Sequence, residues 1–279
     1  VGLDKSSTVL CPVFSYVATA GAIKRLGADI RFTDTDKQGN IGDWGIMGLP
    51  SAVLYVNMFG NLADYTRLRK YCDQHKIPLI EDAAQSQGAM HGKIPSGALG
   101  DVSVFSFDPM KNMPSFGTGG MVLTDSKDVY DSVMSLRRHG TKGSTSYGYN
   151  SLISEDHANQ LLFLLSKFNK LQKMRAKVFK RYRKNLFEAD LIETQENTQS
   201  SHHKLVIQSD RRDELKAYLQ SKGVETKIHY TKTLDNKNVG QYPNAESICA
   251  KALSLPIYPH LKMEEVDYIC NKIKEFMYV

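Results

Sequence analysis

Two short stretches carry residue types that can act together. The run Ile77-Pro78-Leu79-Ile80 stops at Glu81-Asp82-Ala83-Ala84-Gln85, and Phe105-Ser106-Phe107 continues as Asp108-Pro109-Met110-Lys111-Asn112. An apolar run that stops at carboxylates reads as a buried strand delivering an acid to its carboxyl end, where open α/β sheets bind ligands. The lysine follows a proline-marked strand exit rather than lying on a solvated helix, so its amine is available as a nucleophile. Taken singly, Asp82 also reads as a strand-end acid capping a turn and Lys111 as an ordinary surface lysine.

The elements around this pair alternate. Residues 8–13 read as a strand, 16–26 as a helix ending at Gly27, and 28–33 as a strand reaching Asp34 and Asp36. Residues 52–56 read as a strand ending in Asn57-Met58-Phe59-Gly60, and 63–75 as a helix with Tyr65, Leu68 and Cys72 at helical spacing. Repeated βα steps imply an α/β fold with a mostly parallel sheet covered by helices on both faces. Residues 87–100, with Gly88, Gly92, Pro95, Gly97 and Gly100, have loop composition. After Gly120 come a strand to Thr124 and a helix with Val129, Val133 and Leu136 on one face, stopping at Arg137-Arg138-His139-Gly140.

The polar stretch 140–150 is the expected boundary between a large domain, 1–150, and a connecting helix plus small α+β domain, 151–279. From about Ser154 the spacing of Leu161, Leu165, Phe168, Leu171, Met174, Val178 and Tyr182 predicts many helical turns. That helix has no acidic residue between His157 and Phe187, and its lysines and arginines read as a solvated face rather than a membrane or nucleic-acid surface. The rest reads as strand 204–208, helix 211–222, strand 224–230, helix 245–253 and helix 263–277.

With 279 residues, 41% of them hydrophobic, the chain can bury a sizeable core. Lys and Arg total 36 against 30 Asp and Glu, an excess suited to an anionic ligand but too small to point to nucleic acid. Cys11, Cys72, Cys249 and Cys270 are far apart, so neither a zinc site nor a disulfide framework is expected. No apolar run is long enough for a bilayer, and Val1-Gly2-Leu3-Asp4 lacks the plan of a signal peptide. The expected location is the cytoplasm. His202-His203 lack a third ligand and, as strand neighbours, would face opposite ways, so no metal is expected. No Gly-x-Gly-x-x-Gly follows a strand, which argues against a nicotinamide enzyme.

A lysine that forms a Schiff base, with an aspartate keeping a pyridine nitrogen protonated, is the division of labour that pyridoxal 5'-phosphate requires. Glu81-Asp82-Ala83-Ala84-Gln85, the Phe-Ser-Phe-x-Pro-x-Lys-Asn at 105–112, and Gly119-Gly120 before Met121-Val122-Leu123-Thr124 together resemble the DegT/DnrJ/EryC1/StrS family of sugar aminotransferases, fold-type I enzymes. The 29-residue spacing from Asp82 to Lys111 suits that family. The resemblance implies that Lys111 forms the Schiff base and later moves a proton, that Asp82 pairs with the pyridinium nitrogen, that Gln85 lies near the ring, and that Ser106 holds the phosphate. It also implies that Asn150 reaches the phosphate of a neighbouring subunit, hence a homodimer with shared active sites. Lys227, His229 and Tyr230 match a segment near the sugar-nucleotide site.

The implied reaction moves an amino group from an amino acid, glutamate being the expected donor, to a nucleotide-linked keto-deoxysugar. Three alternatives stay open: a non-catalytic homologue that binds a sugar nucleotide or regulates a partner, a purely structural protein, and a sugar dehydratase of the same fold, although such dehydratases typically replace the lysine with histidine. The sequence departs from the family in lacking, upstream of Val1, the Ser-Gly-Thr turn that cradles the phosphate, which implies either a fragment of a longer protein, the favoured expectation, or loss of part of the cradle. Ser151-Leu152-Ile153 also lacks an arginine the family usually carries, Thr118 stands where an acidic residue is common, and Pro114 where glycine is.

Overall fold

Parallel pairing puts five strand exits on one edge of a sheet, and those exits hold the residues singled out above. The computed structural model describes residues 1–44, 48–140, 147–187, 189–193 and 198–277. The first part runs β1 (Thr8–Pro12), α1 (Val17–Arg25), β2 (Asp29–Thr33), β3 (Ala52–Val56), α2 (Tyr65–His75), β4 (Leu79–Asp82), the two-residue strands β5 (Met90–His91) and β6 (Ile94–Pro95), β7 (Val102–Ser106), β8 (Gly120–Leu123) and α3 (Lys127–Leu136). Then follow α4 (Glu155–Asn185), β9 (Leu191–Ile192), β10 (Thr198–Gln199), β11 (Leu205–Gln208), α5 (Arg212–Ser221), α6 (Pro243–Lys251), β12 (Ala252–Leu255) and α7 (Met263–Met277).

The main sheet has the order β2-β1-β3-β4-β7-β8, parallel throughout except for the antiparallel β7–β8 pair. All five β3 residues are buried, the continuous apolar run of a central strand covered on both faces. Local signals set the helix ends. The Asp64 carboxylate caps α2 by accepting from Arg67 N at 3.1 Å, and Ser154 caps α4 by accepting from His157 N at 3.3 Å. In α4, Glu155 and Asp156 in the first turn and Arg183 and Lys184 in the last turn complement the helix dipole.

A second sheet, β12-β11-β9, is antiparallel, and its apolar face packs with Val178 and Tyr182 of α4, Leu215 and Leu219 of α5, and Val266 and Ile273 of α7. Two expectations fail here. Residues 224–230 form no strand: Lys227 makes a single bridge to Ser254, after which the chain turns so that Tyr230 packs edge-on against Phe14 at 5.0 Å. The helix expected over 245–253 stops at Lys251, and Ala252–Leu255 joins β11, because Leu253 and Leu255 alternate onto the buried face.

The segments 141–146 of the expected linker lie outside the described residues. Chain passes back across position 150, since β10 pairs with β5, and Val206, Ala245 and Ile248 join the core under β1 and β3. In α4 the C-terminal half of the apolar stripe is buried at Val178 and Tyr182, whereas Leu162, Phe163 and Leu165 near its start are exposed.

Candidate active site

β4 places two adjacent carboxylates on opposite faces of the sheet. Glu81 is fully buried and accepts hydrogen bonds from Asn57 Nδ2 (2.8 Å), Ser96 Oγ (2.7 Å), Gly97 N (2.9 Å), Leu99 N (3.2 Å) and Ser103 Oγ (2.7 Å). It is consumed in fastening the 96–103 loop and β7 to β4. Asp82, the last residue of β4, faces α1: its Oδ2 accepts from Thr19 Oγ1 at 2.8 Å and its Oδ1 from Ala84 N at 3.1 Å. Thr19 Oγ1 lies 2.7 Å from Ser15 Oγ, so the carboxylate is oriented by a short hydroxyl chain from α1 and the turn before it. Burial raises the Asp82 pKa, against the opposing pull of these hydrogen bonds and of Lys111.

Lys111 sits in a turn fixed at both ends. Asp108 Oδ1 accepts from Met110 N at 2.9 Å and Asp108 O from Lys111 N at 2.9 Å. Asn112 donates through Nδ2 to Ser201 O at 2.9 Å and to Gln172 Oε1 of α4 at 3.3 Å, while its Oδ1 lies 3.2 Å from His203 Nδ1. Burial pushes the Lys111 amine down, and Asp82 and then Asp108 partly restore it. A lysine lowered in this way holds more neutral, nucleophilic amine at neutral pH.

The segment opposite Lys111 approaches through a glycine. Phe59 (φ 60°) and Gly60 (φ 94°) turn sharply, and Gly60 O accepts from Ser201 N at 2.9 Å. A Cβ on Gly60 would lie 2.2 Å from Ser201 Oγ and 2.9 Å from His203 N, so only glycine lets residues 200–204 dock.

The other expected residues divide. Gln85 is buried with its amide spoken for: Oε1 accepts from Phe59 N at 3.0 Å, and Nε2 donates to Tyr230 OH at 3.1 Å. It therefore ties Tyr230 to the sheet edge. Ser106 ends β7, its Oγ accepting from Asp108 N at 3.3 Å. Lys227 and His229 line, with Met110, His203 and Lys204, a cavity of about 730 Å³ that extends between β12, α7 and residues 223–229. Asn150 is exposed and paired by backbone with Arg138 at the end of α3, next to the exposed Tyr147 and Tyr149.

Reasoning from the sequence missed Thr19, Asn112 and Lys204. Thr19 lies 63 residues from its partner, and no spacing signal joins the two. The sequence alone gives His202-His203 no metal and no other role. Both residues lie in a loop before β11, not in a strand; His202 stacks on Phe179 at 4.3 Å while His203 turns to Asn112. Among the described residues, no group of three or more His, Cys, Asp or Glu is placed to hold a metal ion.

The donor set fits pyridoxal phosphate. A half-buried, oriented carboxylate and a lowered amine share one edge of the sheet, and no ion pair joins the two, so both remain available to a ring between them. Comparison with known proteins agrees. The DegT/DnrJ/EryC1/StrS aminotransferase family matches residues 1–274. A "Pleiotropic regulatory protein" of Geobacillus stearothermophilus is 32% identical over 99% of this chain and 80% of its own length. The "dTDP-3-amino-3,4,6-trideoxy-alpha-D-glucose transaminase" of Streptomyces venezuelae is 28% identical over 99% of this chain and 78% of its own. The crystal structure of S. venezuelae DesV "in complex with ketimine intermediate" superposes with a TM-score of 0.93 at 28% identity, over 99% of this chain and 79% of that one. The fold is that of the fold-type I aminotransferases. Within that class, the chain belongs to the DegT/DnrJ/EryC1/StrS aminotransferase family, whose cofactor is pyridoxal 5'-phosphate.

Proposed function

We propose that the protein transfers an amino group from an amino acid, with glutamate the first donor to test, to a keto-deoxysugar linked to a nucleoside diphosphate. The observation that carries this reading is the pairing of Asp82, held by Thr19 and Ala84, with the lowered amine of Lys111 on one strand edge. When bound, the cofactor supplies an electron sink for the carbon that loses its proton. Lys111 is the covalent anchor and, once released, carries the proton to and from that carbon. Asp82 holds the pyridine nitrogen protonated. Gln85 and Ser106 complete the cofactor shell, and Lys227, His229 and Tyr230 bind the sugar nucleotide. Relatives named as dTDP-sugar and UDP-sugar aminotransferases support that substrate class.

The same reading includes a homodimer in which Asn150 reaches the neighbouring site. The exposed Phe116, Tyr147, Leu162, Phe163 and Leu165 support an apolar contact of that kind. It also includes a large domain, 1–150, a smaller unit, 151–279, and residence in the cytoplasm. Four free, buried cysteines suit a reducing compartment, and among the described residues no helix is long and apolar enough to cross a membrane. One second reading has support: the name of the Geobacillus relative points to regulation, which a binding homologue without turnover would serve.

Adding pyridoxal phosphate and recording the absorbance before and after borohydride, beside Lys111→Ala, separates these readings. A near-visible band that borohydride removes, with the cofactor mapped to Lys111, is expected. Binding of a sugar nucleotide without any such band would leave the regulatory reading standing instead.

A further inference from the structure

The cavity beside Met110 holds a lysine that no carboxylate pairs among the described residues. Lys204 enters the cavity beside Met110 and His203, its backbone N–H donating to Phe59 O at 3.0 Å. Its ammonium has no ion pair among the described residues, unlike Lys251 with Asp210 or Arg181 with Asp267. Burial pulls Lys204 down to about 8, and Lys111, Arg175 and Lys227 add to the fall, with Asp108 alone opposing them. Arg175 is likewise without a carboxylate: its Nη1 donates to Ile257 O at 2.9 Å and His202 O at 3.4 Å. Glu225, Glu264 and Glu265 also line the cavity, but none of them forms an ion pair with Lys204.

A desolvated cation without a counter-ion is costly, and a protein gains from keeping one where a ligand supplies the charge. We propose that Lys204 is a substrate-binding residue that holds an anionic oxygen, carboxylate or phosphate, of the molecule reacting at Lys111. This rests on the aminotransferase reading and deepens it. Both substrates of that reaction pass Lys111 in turn and both carry such a group, the donor as a carboxylate and the sugar nucleotide as a diphosphate. Lys204 lines the cavity together with Met110, the residue before Lys111, and the Lys111 charge acts on it. The open cavity continues past it toward Lys227 and His229.

Lys204→Met keeps the stem and removes the charge; Lys204→Arg keeps the charge. Calorimetric titration of each full-length variant with 2-oxoglutarate, and separately with UDP and dTDP, reads the two sources. The expected result is an affinity loss of about tenfold or more in Lys204→Met for one of the two probe classes, largely restored in Lys204→Arg. Loss confined to 2-oxoglutarate assigns the donor carboxylate, and loss confined to the nucleotides assigns the diphosphate. Unchanged affinity for both overturns the proposal. So does weaker binding of pyridoxal phosphate, but not of pyridoxal, in Lys204→Met, since the anion would then be the cofactor's own phosphate. The titrations need no turnover, so a chain that fixes no cofactor on Lys111 defeats the aminotransferase reading and leaves this test intact.

Discussion

Two walls meet at Lys111, and they are finished to different degrees. On the sheet edge both carboxylates have their partners: Glu81 is closed by five neighbouring groups, and Asp82 is held by Thr19 and Ala84. On the opposite wall, Lys204, Arg175 and Lys227 act on one another, and among the described residues neither Lys204 nor Arg175 has a carboxylate in ion-pair contact. The first wall is built for a group that stays, the second for groups that come and go. A site whose permanent half is rigid and whose exchanging half is electrostatically incomplete binds its substrates partly by what it lacks.

The comparison breaks most directly at Lys111. Lys111→Ala is expected to lower amination by about 10³-fold or more while leaving the fold intact, because one side chain serves as both anchor and proton carrier. Steady-state rates, with thermal melting as the control for folding, check this, and a residual rate near that of the parent would remove Lys111 from the chemistry. Next comes the finished wall. Glu81→Ala strands the donors of Asn57, Ser96, Gly97, Leu99 and Ser103 in the core, and a loss of about 3–5 kcal/mol in denaturant unfolding is expected. A loss below about 1 kcal/mol would show that the loop is held by other means.

The finished wall was also the legible one. Asp82 and Lys111 stand where local apolar runs end, and both β4 and β7 stop within the stretches that announced them. The helix α7 likewise spans Met263–Met277 as its spacing implied. What stayed hidden depends on partners distant in sequence. Whether Ala252–Leu255 is helix or strand is decided by β11, and Lys227 to Tyr230 lose their strand because Tyr230 is drawn to Phe14 and Gln85. Lys204 had no signal, since a lysine beside a strand is ordinary until the structure shows which cations surround it. His203 meets Asn112 across 91 residues of sequence, and no local pattern links the two.

The unfinished wall should reveal itself in acid. Burial, then Arg175 and Lys180, bring His202 down to about 4, and burial, then Lys204, Lys227 and Lys111, bring His229 down to about 4, from a usual 6.5. In the unfolded chain each imidazole takes its proton near 6.5, so between there and 4 the unfolded state binds more protons and stability falls as the pH drops. Each is expected to contribute on the order of 3 kcal/mol to that fall before mutual coupling reduces it. Unfolding curves across this range, with His202→Gln and His229→Gln flattening the slope, are the check; parallel slopes in variants and parent would refute it.

The smallest effect is the most discriminating, because its sign is opposite to that at Glu81. Removing a charge that the fold already satisfies destabilises; removing one that the fold leaves unsatisfied stabilises. The folded chain holds Lys204 at about 8 against 10.5 in the open chain, so its protonated form is penalised below pH 8 and the penalty disappears as the pH rises through 10.5. Lys204→Met is therefore expected to raise stability by about 1–2 kcal/mol at pH 7, after allowing for its partial exposure, with the gain shrinking at higher pH and in added salt. Binding of a substrate anion should cancel the gain, since the parent then receives the counter-charge that the variant no longer needs. Melting curves with and without UDP or 2-oxoglutarate test both halves at once. A variant less stable than its parent in the absence of ligand would mean that Lys204 already has its partner within the protein, and the contrast between the two walls would fail.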